Sequence, residues 1–480
     1  MKILLIQPPD THMITTNVPS VVDEETGAYP PLGILYVAAY LEQHSNHEVE
    51  ILDCILENHT QQDIAREIQQ RQPDLVGLSA TTFTLIDCIL TAKTIKALDP
   101  DIPIVIGGPH VFIFPHETMQ IPEVDYIVIG EGEIPFTQLV NALADQRDRT
   151  TLPGIGYRDN GEIKINPALP LNQHLDDLPF PARHRIPQSR YYTVLARKTP
   201  ITTMMTSRGC PYQCIFCDRP HLGKQFRYRS AESVVQEMRQ CEEMGIGEIF
   251  VYDDTFTINR QRVLDICRLK QEQGIQIGWD IRAHINTMND EVLDALAAAN
   301  CLRIHYGVES GNAEINKVLR KGLDLHKTKA LFTKTQQRGM DTLGYFMIGN
   351  PDETRAQAME TIDFACGLDA NYIHLSVATP FPATDLYRLG FERGLYKEDY
   401  WRAFAQNPRP DFVPELWEEH MNRDELIELM RLGYKRFYMR GGYIFKSVFA
   451  VRSWPEFKRK AKAGLRLLRW GSNPTAKLSA

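Results

Sequence analysis

The chain is 480 residues long, more than one ordinary hydrophobic core holds, so two or three domains are expected. Hydrophobic residues make up 43% and charged residues 24%, which excludes a disordered or fibrous chain. The net charge of −8 is uneven: residues 431–480 hold thirteen Lys or Arg against one acidic residue, Glu456, a net +12, so the preceding 430 residues carry the remaining −20. That acidic bulk argues against a nucleic-acid partner, and no apolar run approaches the length of a membrane span. The run Ile3–Ile6 is too short for a signal peptide and breaks at Pro8-Pro9. Nine cysteines with no paired framework fit a reducing compartment, so a cytoplasmic protein is expected.

Residues 1–145 alternate short apolar runs with helix-length polar segments. The runs are Ile3–Ile6, Val49–Leu52, Leu75–Leu78, Ile102–Ile106 and Tyr126–Ile129. Runs of four to six residues rich in β-branched side chains, spaced this way, predict a parallel sheet covered on both faces, a doubly wound α/β (Rossmann-like) domain. Ligands of such sheets bind beyond the carboxyl ends of the strands. There the sequence places Ser79-Ala80-Thr81-Thr82, Gly107-Gly108-Pro109-His110 and Gly130-Glu131-Gly132-Glu133, whose small residues let backbone approach a bulky ligand. No Gly-x-Gly-x-x-Gly phosphate fingerprint accompanies them. Residues 146–197, with Leu178-Pro179-Phe180-Pro181, read as a linker with a strand pair at Ile155–Tyr157 and Ile163–Ile165.

From 198 to 390 the alternation resumes. Strands are predicted at Ile201–Met205, Glu248–Tyr252, Gln276–Ile281, Arg303–Val308, Thr342–Ile348 and Tyr372–Ala378, with helices such as Ala231–Met244 and Asn289–Ala299 between them. Six β/α units in one direction predict a (β/α)6 partial TIM barrel with function at the carboxyl ends of its strands. After the first of these strands comes Ser207-Arg208-Gly209-Cys210-Pro211-Tyr212-Gln213-Cys214-Ile215-Phe216-Cys217. Three thiolates on one loop, Cys210, Cys214 and Cys217, can hold three irons of a 4Fe–4S cluster and leave the fourth iron open. Structural zinc would require a fourth ligand in a second pair, and His221, the only nearby residue, sits in none. The other six cysteines, Cys54, Cys88, Cys241, Cys267, Cys301 and Cys366, are scattered and read as small buried hydrophobes. Residues 391–480 read as helices: Asp424–Met439 is amphipathic, and Phe457–Trp470 is basic with interleaved aromatics, which points to peripheral membrane contact, an anionic substrate or a partner protein.

The cysteine loop resembles that of the radical S-adenosylmethionine (SAM) enzymes, and the three glycine-rich segments resemble the cobalamin-binding domain that precedes the barrel in one large subfamily. The resemblance covers residues 1–390 and implies three cofactors: a 4Fe–4S cluster on Cys210, Cys214 and Cys217, SAM, and cobalamin. By the same resemblance, Phe216 lies near the adenine, Asp253 and Asp254 bind the SAM amino group, Arg282 clamps its carboxylate, and Glu309 and Ser310 hold its ribose and methionine parts. Ser79, Thr81, Gly107, Gly108, His110, Gly130, Glu131 and Gly132 are expected around cobalamin. The turn Gly349-Asn350-Pro351-Asp352-Glu353-Thr354 resembles one found after the fifth strand in cobalamin-dependent members. Cobalamin-binding domains elsewhere carry Asp-x-His-x-x-Gly, the His ligating cobalt; Asp10-Thr11-His12-Met13-Ile14-Thr15 falls at that place without the Gly, which leaves the role of His12 open.

The implied activity is C-methylation of an unactivated carbon in a small-molecule or lipid-like substrate: SAM is cleaved to methionine and a deoxyadenosyl radical, and the corrinoid supplies the methyl group. A reductant such as flavodoxin or ferredoxin is implied with it. Two alternatives stand beside it: a cobalamin-dependent radical cyclase or rearrangement enzyme, like the anaerobic tetrapyrrole cyclases, and a cobalamin or redox sensor.

Overall fold

The computed structural model describes residues 1–15, 27–218 and 223–444. Two sheets dominate it. The first has seven strands in the order Glu48–Asp53, Lys2–Gln7, Leu75–Ser79, Ile104–Gly107, Tyr126–Val128, Ile155–Asp159 and Glu162–Ile165. The first five are parallel and the last two antiparallel. The four inner parallel strands have apolar middles, as a sheet covered on both faces requires, while the edge strand Glu48–Asp53 carries Glu50, paired with Lys2 and Arg71. Helices Leu32–His44 and Glu133–Ala144 pack side by side, as do Gln61–Arg71 and Leu85–Leu98. The strand pair expected within the 146–197 linker forms, but it is the antiparallel edge of this sheet, because Val128 pairs with Ile155.

The remainder of that segment binds the two sheets together. Tyr191 is buried, donates its hydroxyl to Asp53 at 2.9 Å, and accepts at its carbonyl from the N–H of Ile201, the first residue of the second sheet. The second sheet holds six parallel strands in chain order: Ile201–Met204, Glu248–Val251, Gly278–Ala283, Cys301–Glu309, Asp341–Ile348 and Tyr372–Val377. The first and last are its edges, so the barrel is open, as the six-unit count predicts. The third strand begins two residues later than expected: Ile275 and Ile277 are buried in the connection ahead of it and mimic strand periodicity.

The described part of the C-terminal region carries the helices Asp385–Glu392, Tyr400–Gln406 and Arg423–Tyr438, with irregular chain over 407–422 between the last two. The last, expected at Asp424–Met439, opens with a capping box between Asn422 and Glu425 and buries Leu426, Leu429, Met430, Tyr434 and Phe437. The Tyr434 hydroxyl accepts from the N–H of Leu375 in the last barrel strand at 2.9 Å. Trp401 packs edge-on to Phe83 of the first domain and donates its indole N–H to the Pro380 carbonyl. The basic stretch Phe457–Trp470 lies outside the described residues. Among the described residues no helix is long and apolar enough to cross a membrane.

Candidate functional site

The carboxyl ends of both sheets meet around the cysteine loop. Gly209 adopts φ +81, a conformation that favours glycine, directly after the short strand Ser207–Arg208 and just before Cys210. A two-residue antiparallel ladder, Ser207–Arg208 against Arg227–Tyr228, closes the base of the loop. Farther along, the N–H of Ile215 donates to the Leu319 carbonyl, and the Ile215 carbonyl accepts from Leu386 at 2.8 Å. The three cysteines span a gradient from buried Cys214 through half-buried Cys210 to exposed Cys217, and none is in a disulfide. Three soft thiol donors, the cysteines this loop offers among the described residues, are a set that fits a 4Fe–4S cluster with one open iron. His221 lies outside the described residues. Elsewhere burial pushes the thiols up, Cys241 to about 11 and Cys88 and Cys267 to about 12, which leaves them inert as expected.

Around this loop the predicted SAM residues divide. Phe216 is half-buried and packs with Ile215, Leu319, Met347 and Trp417. Asp253 is not available to an ammonium group. It is fully buried, and its two oxygens accept from the N–H and hydroxyl of Thr206 (2.6 and 2.5 Å) and of Ser207 (3.0 and 2.6 Å). Four donors saturate the carboxylate, so it anchors the stalk of the cysteine loop instead. Asp254 beside it is exposed. Arg282 lies 4.0 Å from the centroid of the Tyr252 ring and donates to the Val251 carbonyl at 2.9 Å. Glu309 pairs with Lys321 at 2.9 Å, and Ser310 is fully buried, hydrogen-bonded to Thr361 at 3.0 Å and to the N–H of Asn312 at 3.1 Å. Glu353, in the turn after the fifth strand, accepts from the N–H of Asn350, and burial raises its carboxyl to about 7.

Lys321 had no signal in the sequence. Burial favours its neutral form, but the Glu309 carboxylate and the nearby Cys214 and Cys217 outweigh that and hold the ammonium above its ordinary range. Its Nζ stands 6.0 Å from the Phe216 ring centroid. Gly307 makes the pair fit: a Cβ there would come within 2.6 Å of the Glu309 carboxylate and 2.7 Å of Nζ. Tyr212 of the loop stacks on His284 at 4.0 Å, a second lateral support that the sequence does not announce.

Facing this loop is a cavity of about 320 Å³ between the first sheet and helices Leu32–His44 and Glu133–Ala144. Ser79, Gly107, Gly108, Gly130, Glu131 and Gly132 all line it, with Leu5, Val37, Val128 and Phe136 supplying apolar walls. Absent side chains open it. A Cβ on Gly107 would meet nothing within 3.8 Å, and one on Gly132 would first meet Val37 at 3.4 Å. Gly108, at φ +103, is required for a different reason: a Cβ there would strike the Ala80 carbonyl at 2.6 Å. A slot opened at Gly107 and Gly132 and walled by Leu5, Val37, Val128 and Phe136 fits the flat base at the end of a corrinoid's nucleotide tail.

Two expected cobalamin contacts fall elsewhere. Thr81 is the N-cap of the turn Thr82–Thr84, accepting from the Thr84 N–H, and does not line the cavity. His110 is buried beneath the loop, with Nδ1 3.0 Å from the Thr82 hydroxyl, and burial lowers it to about 3. Both shape the strand-end loop from below. Glu131 lines the cavity but is not a free acceptor: Arg208, Arg227 and the Asn172 N–H hold it, and together they keep its carboxyl below the usual range against the penalty of burial. His12 is held by Asp87, which accepts from its ring at 2.8 Å and from its N–H at 2.7 Å. That orients the ring, but His12 is absent from the cavity lining.

Comparison with known proteins agrees with both halves. Residues 20–140 match the B12 binding domain and residues 204–365 the radical SAM superfamily. An uncharacterized methyltransferase of Pyrococcus horikoshii is 36% identical over 453 residues, 94% of this chain and 95% of that protein. The anaerobic magnesium-protoporphyrin IX monomethyl ester cyclase of Rubrivivax gelatinosus is 25% identical over 92% of this chain and 78% of its own length. Among solved structures, the cobalamin-dependent SAM radical enzyme OxsB, with aqua-cobalamin and SAM bound, shares the fold at a TM-score of 0.71, with 18% identity over 97% of this chain and 71% of that one. A B12 binding domain, a radical SAM half-barrel and a relative that aligns nearly end to end place the chain in the cobalamin-binding radical SAM family.

Proposed function

We propose that this protein is a cobalamin-dependent radical SAM methyltransferase that methylates an unactivated carbon of a small-molecule or lipid-like substrate. The observation that carries the reading is the juxtaposition of the three-cysteine loop with the glycine-cleared slot, joined directly by Arg208, which leaves the loop and pairs with Glu131 and Glu133 on the slot. When bound, the cluster, SAM and cobalamin supply radical generation and a transferable methyl group. The chain's own residues position and shield: Asp253 fixes the loop stalk, Glu309 and Lys321 set the field beside Cys214 and Cys217, and Phe216, Leu319, Met347 and Trp417 keep water from that side.

Asp254, Arg282, Glu309 and Ser310 remain the proposed surroundings of SAM, Phe216 its adenine contact, and Ser79, Gly107, Gly108, Gly130, Glu131 and Gly132 the proposed surroundings of the corrinoid. The working division is a cobalamin unit over 1–145 whose sheet takes in the hairpin Ile155–Ile165 from the expected 146–197 linker, the radical SAM unit over 198–390 and a basic C-terminal region. A cytoplasmic flavodoxin or ferredoxin is the proposed reductant, and the basic tail the proposed membrane contact. Methyl transfer is favoured over cyclisation because the methyltransferase relative is 36% identical, against 25% for the cyclase.

The test is incubation of the anaerobically reconstituted protein with methyl-deuterated SAM, a low-potential reductant and hydroxocobalamin. S-adenosylhomocysteine and label in the corrinoid fraction are expected alongside deoxyadenosine. Deoxyadenosine without either would exclude methyl transfer and favour the cyclase reading. SAM binding with no cleavage at all would favour a sensor.

A further inference from the structure

Arg208 stands two residues before the first cluster cysteine, yet its side chain lines the cavity of the other domain. It is 8% exposed, with one guanidinium nitrogen 3.0 Å from Glu131 and the other 2.5 Å from Glu133, and the group lies 5.4 Å from the centroid of the Tyr36 ring. Its ladder partner Arg227 reaches the same turn, donating to both oxygens of Glu131 at 2.9 and 3.2 Å and to the Asn172 carbonyl at 2.7 Å. Both stalks of the cysteine loop are therefore tied to Gly130-Glu131-Gly132-Glu133, the turn whose glycines clear the slot. Two carboxylates and two guanidiniums balance, all of them nearly buried. Separating such a set strands charges in a low-dielectric interior, so the turn and the cysteine loop keep their relation or break it together.

Resting on the reading above that the slot takes a corrinoid and the loop a cluster that binds SAM, we propose that Arg208 is a positioning residue coupling the two. A corrinoid that fills the slot fixes the Gly130–Glu133 turn, the turn holds Arg208, and Arg208 holds the cysteine loop in the arrangement that receives SAM. Coupling of this kind is reciprocal: SAM tightens corrinoid binding by the same factor.

The test uses the full-length protein with its cluster reconstituted and measures the SAM dissociation constant anaerobically with and without saturating hydroxocobalamin. In the unaltered protein SAM binds at least about fivefold tighter with the corrinoid present. The ratio falls to within about twofold in Arg208→Gln, survives in part in Arg208→Lys, which keeps one of the two contacts, and is reduced in Glu133→Gln, which preserves the side chain's size. The electron paramagnetic resonance spectrum of the reduced cluster shifts on adding corrinoid to the unaltered protein and not to Arg208→Gln, a change that general destabilisation would not produce. A ratio of one in the unaltered protein, or the full ratio in both Arg208→Gln and Glu133→Gln, overturns the proposal; if Arg208→Gln does not fold, the Glu133→Gln ratio decides. Failure of the unaltered protein to bind any corrinoid would instead remove the cobalamin reading on which the proposal stands.

Discussion

Removing the charge of Lys321 tests how the protein sets the energy of its cluster electron. The ammonium is 11% exposed, held 2.9 Å from Glu309, and 6.0 Å from the ring of Phe216, a residue flanked by Cys214 and Cys217, the proposed cluster ligands. Taking roughly 8 Å to the cluster centre and an effective dielectric near 20, one unit charge is worth about 2 kcal/mol. A reduced cluster carries one more negative charge than the oxidised one, so that energy appears directly in the midpoint potential, as roughly 90 mV for a one-electron couple. Lys321→Gln is therefore expected to make the potential more negative by up to this amount, since reduction loses a stabilising positive neighbour. Glu309→Gln is expected to move it the opposite way, and the double substitution to return it close to the starting value. The assay is a redox titration of anaerobic protein followed by electron paramagnetic resonance. A potential that stays put or rises in Lys321→Gln would refute the electrostatic role, whatever happened to turnover.

Three further substitutions separate the parts of the site. Gly107→Val places its Cβ in ordinary contact with Val128 at 3.8 Å and its methyl groups in the slot, so the fold should persist while hydroxocobalamin binds about ten- to a hundredfold more weakly, at unchanged iron content; undiminished cobalamin affinity in a spectroscopic titration would show that the slot is not the corrinoid site. Asp253→Asn replaces a carboxylate saturated by four donors with a group that has one acceptor oxygen, at a cost of about 2–4 kcal/mol, and iron and sulfide per chain should fall while cobalamin still binds; a full cluster complement in the variant would contradict the anchor. Glu353, raised to about 7 by burial, contributes stability that is complete below the unfolded-state value near 4.5 and lost as pH rises through 7, about 3 kcal/mol in all. Glu353→Gln, which keeps the neutral shape, should show a flatter melting temperature between pH 4.5 and 7, and parallel curves for the two proteins would count against the assignment.

What was legible in the sequence was what local chemistry determines. The Cys-x-x-x-Cys-x-x-Cys spacing, with Gly209 ahead of it, specifies a metal loop within eight residues, and the β-branched runs specify strands whose interiors must be apolar. Edges were less legible for a physical reason: Ile102, Ile275 and Ile277 are buried without belonging to a strand, and burial is what an apolar pattern reports. The hairpin Ile155–Ile165 could be read as two strands, but not as the rim of the first sheet, since that depends on the pairing of Val128 with Ile155 across the intervening helix. Direction was hidden as well. Two adjacent carboxylates at a strand end look alike in sequence, yet Asp253 turns inward to Thr206 and Ser207 while Asp254 stays exposed.

The same division explains which functional residues the sequence concealed. Lys321 and Arg208 act on groups brought near only by the fold: Arg208 meets Glu133 across 75 residues, and Lys321 meets the cysteine loop across more than a hundred. Their placement gives the site a common character. Glu131 and Glu133 are neutralised by Arg208 and Arg227, Glu309 by Lys321, and Asp253 is saturated by hydroxyl and amide donors, while Arg282 spreads over Tyr252. Polar groups so held have little freedom to reorient when a neighbouring cofactor changes charge, which lowers the reorganisation that electron or group transfer must overcome. A site designed for acid–base chemistry would instead present an unpaired group of intermediate proton affinity toward its substrate. Here Glu131, Glu133, Glu309 and Asp253 are instead spent on holding loops in register, as expected of a protein whose reactive atoms belong to its cofactors.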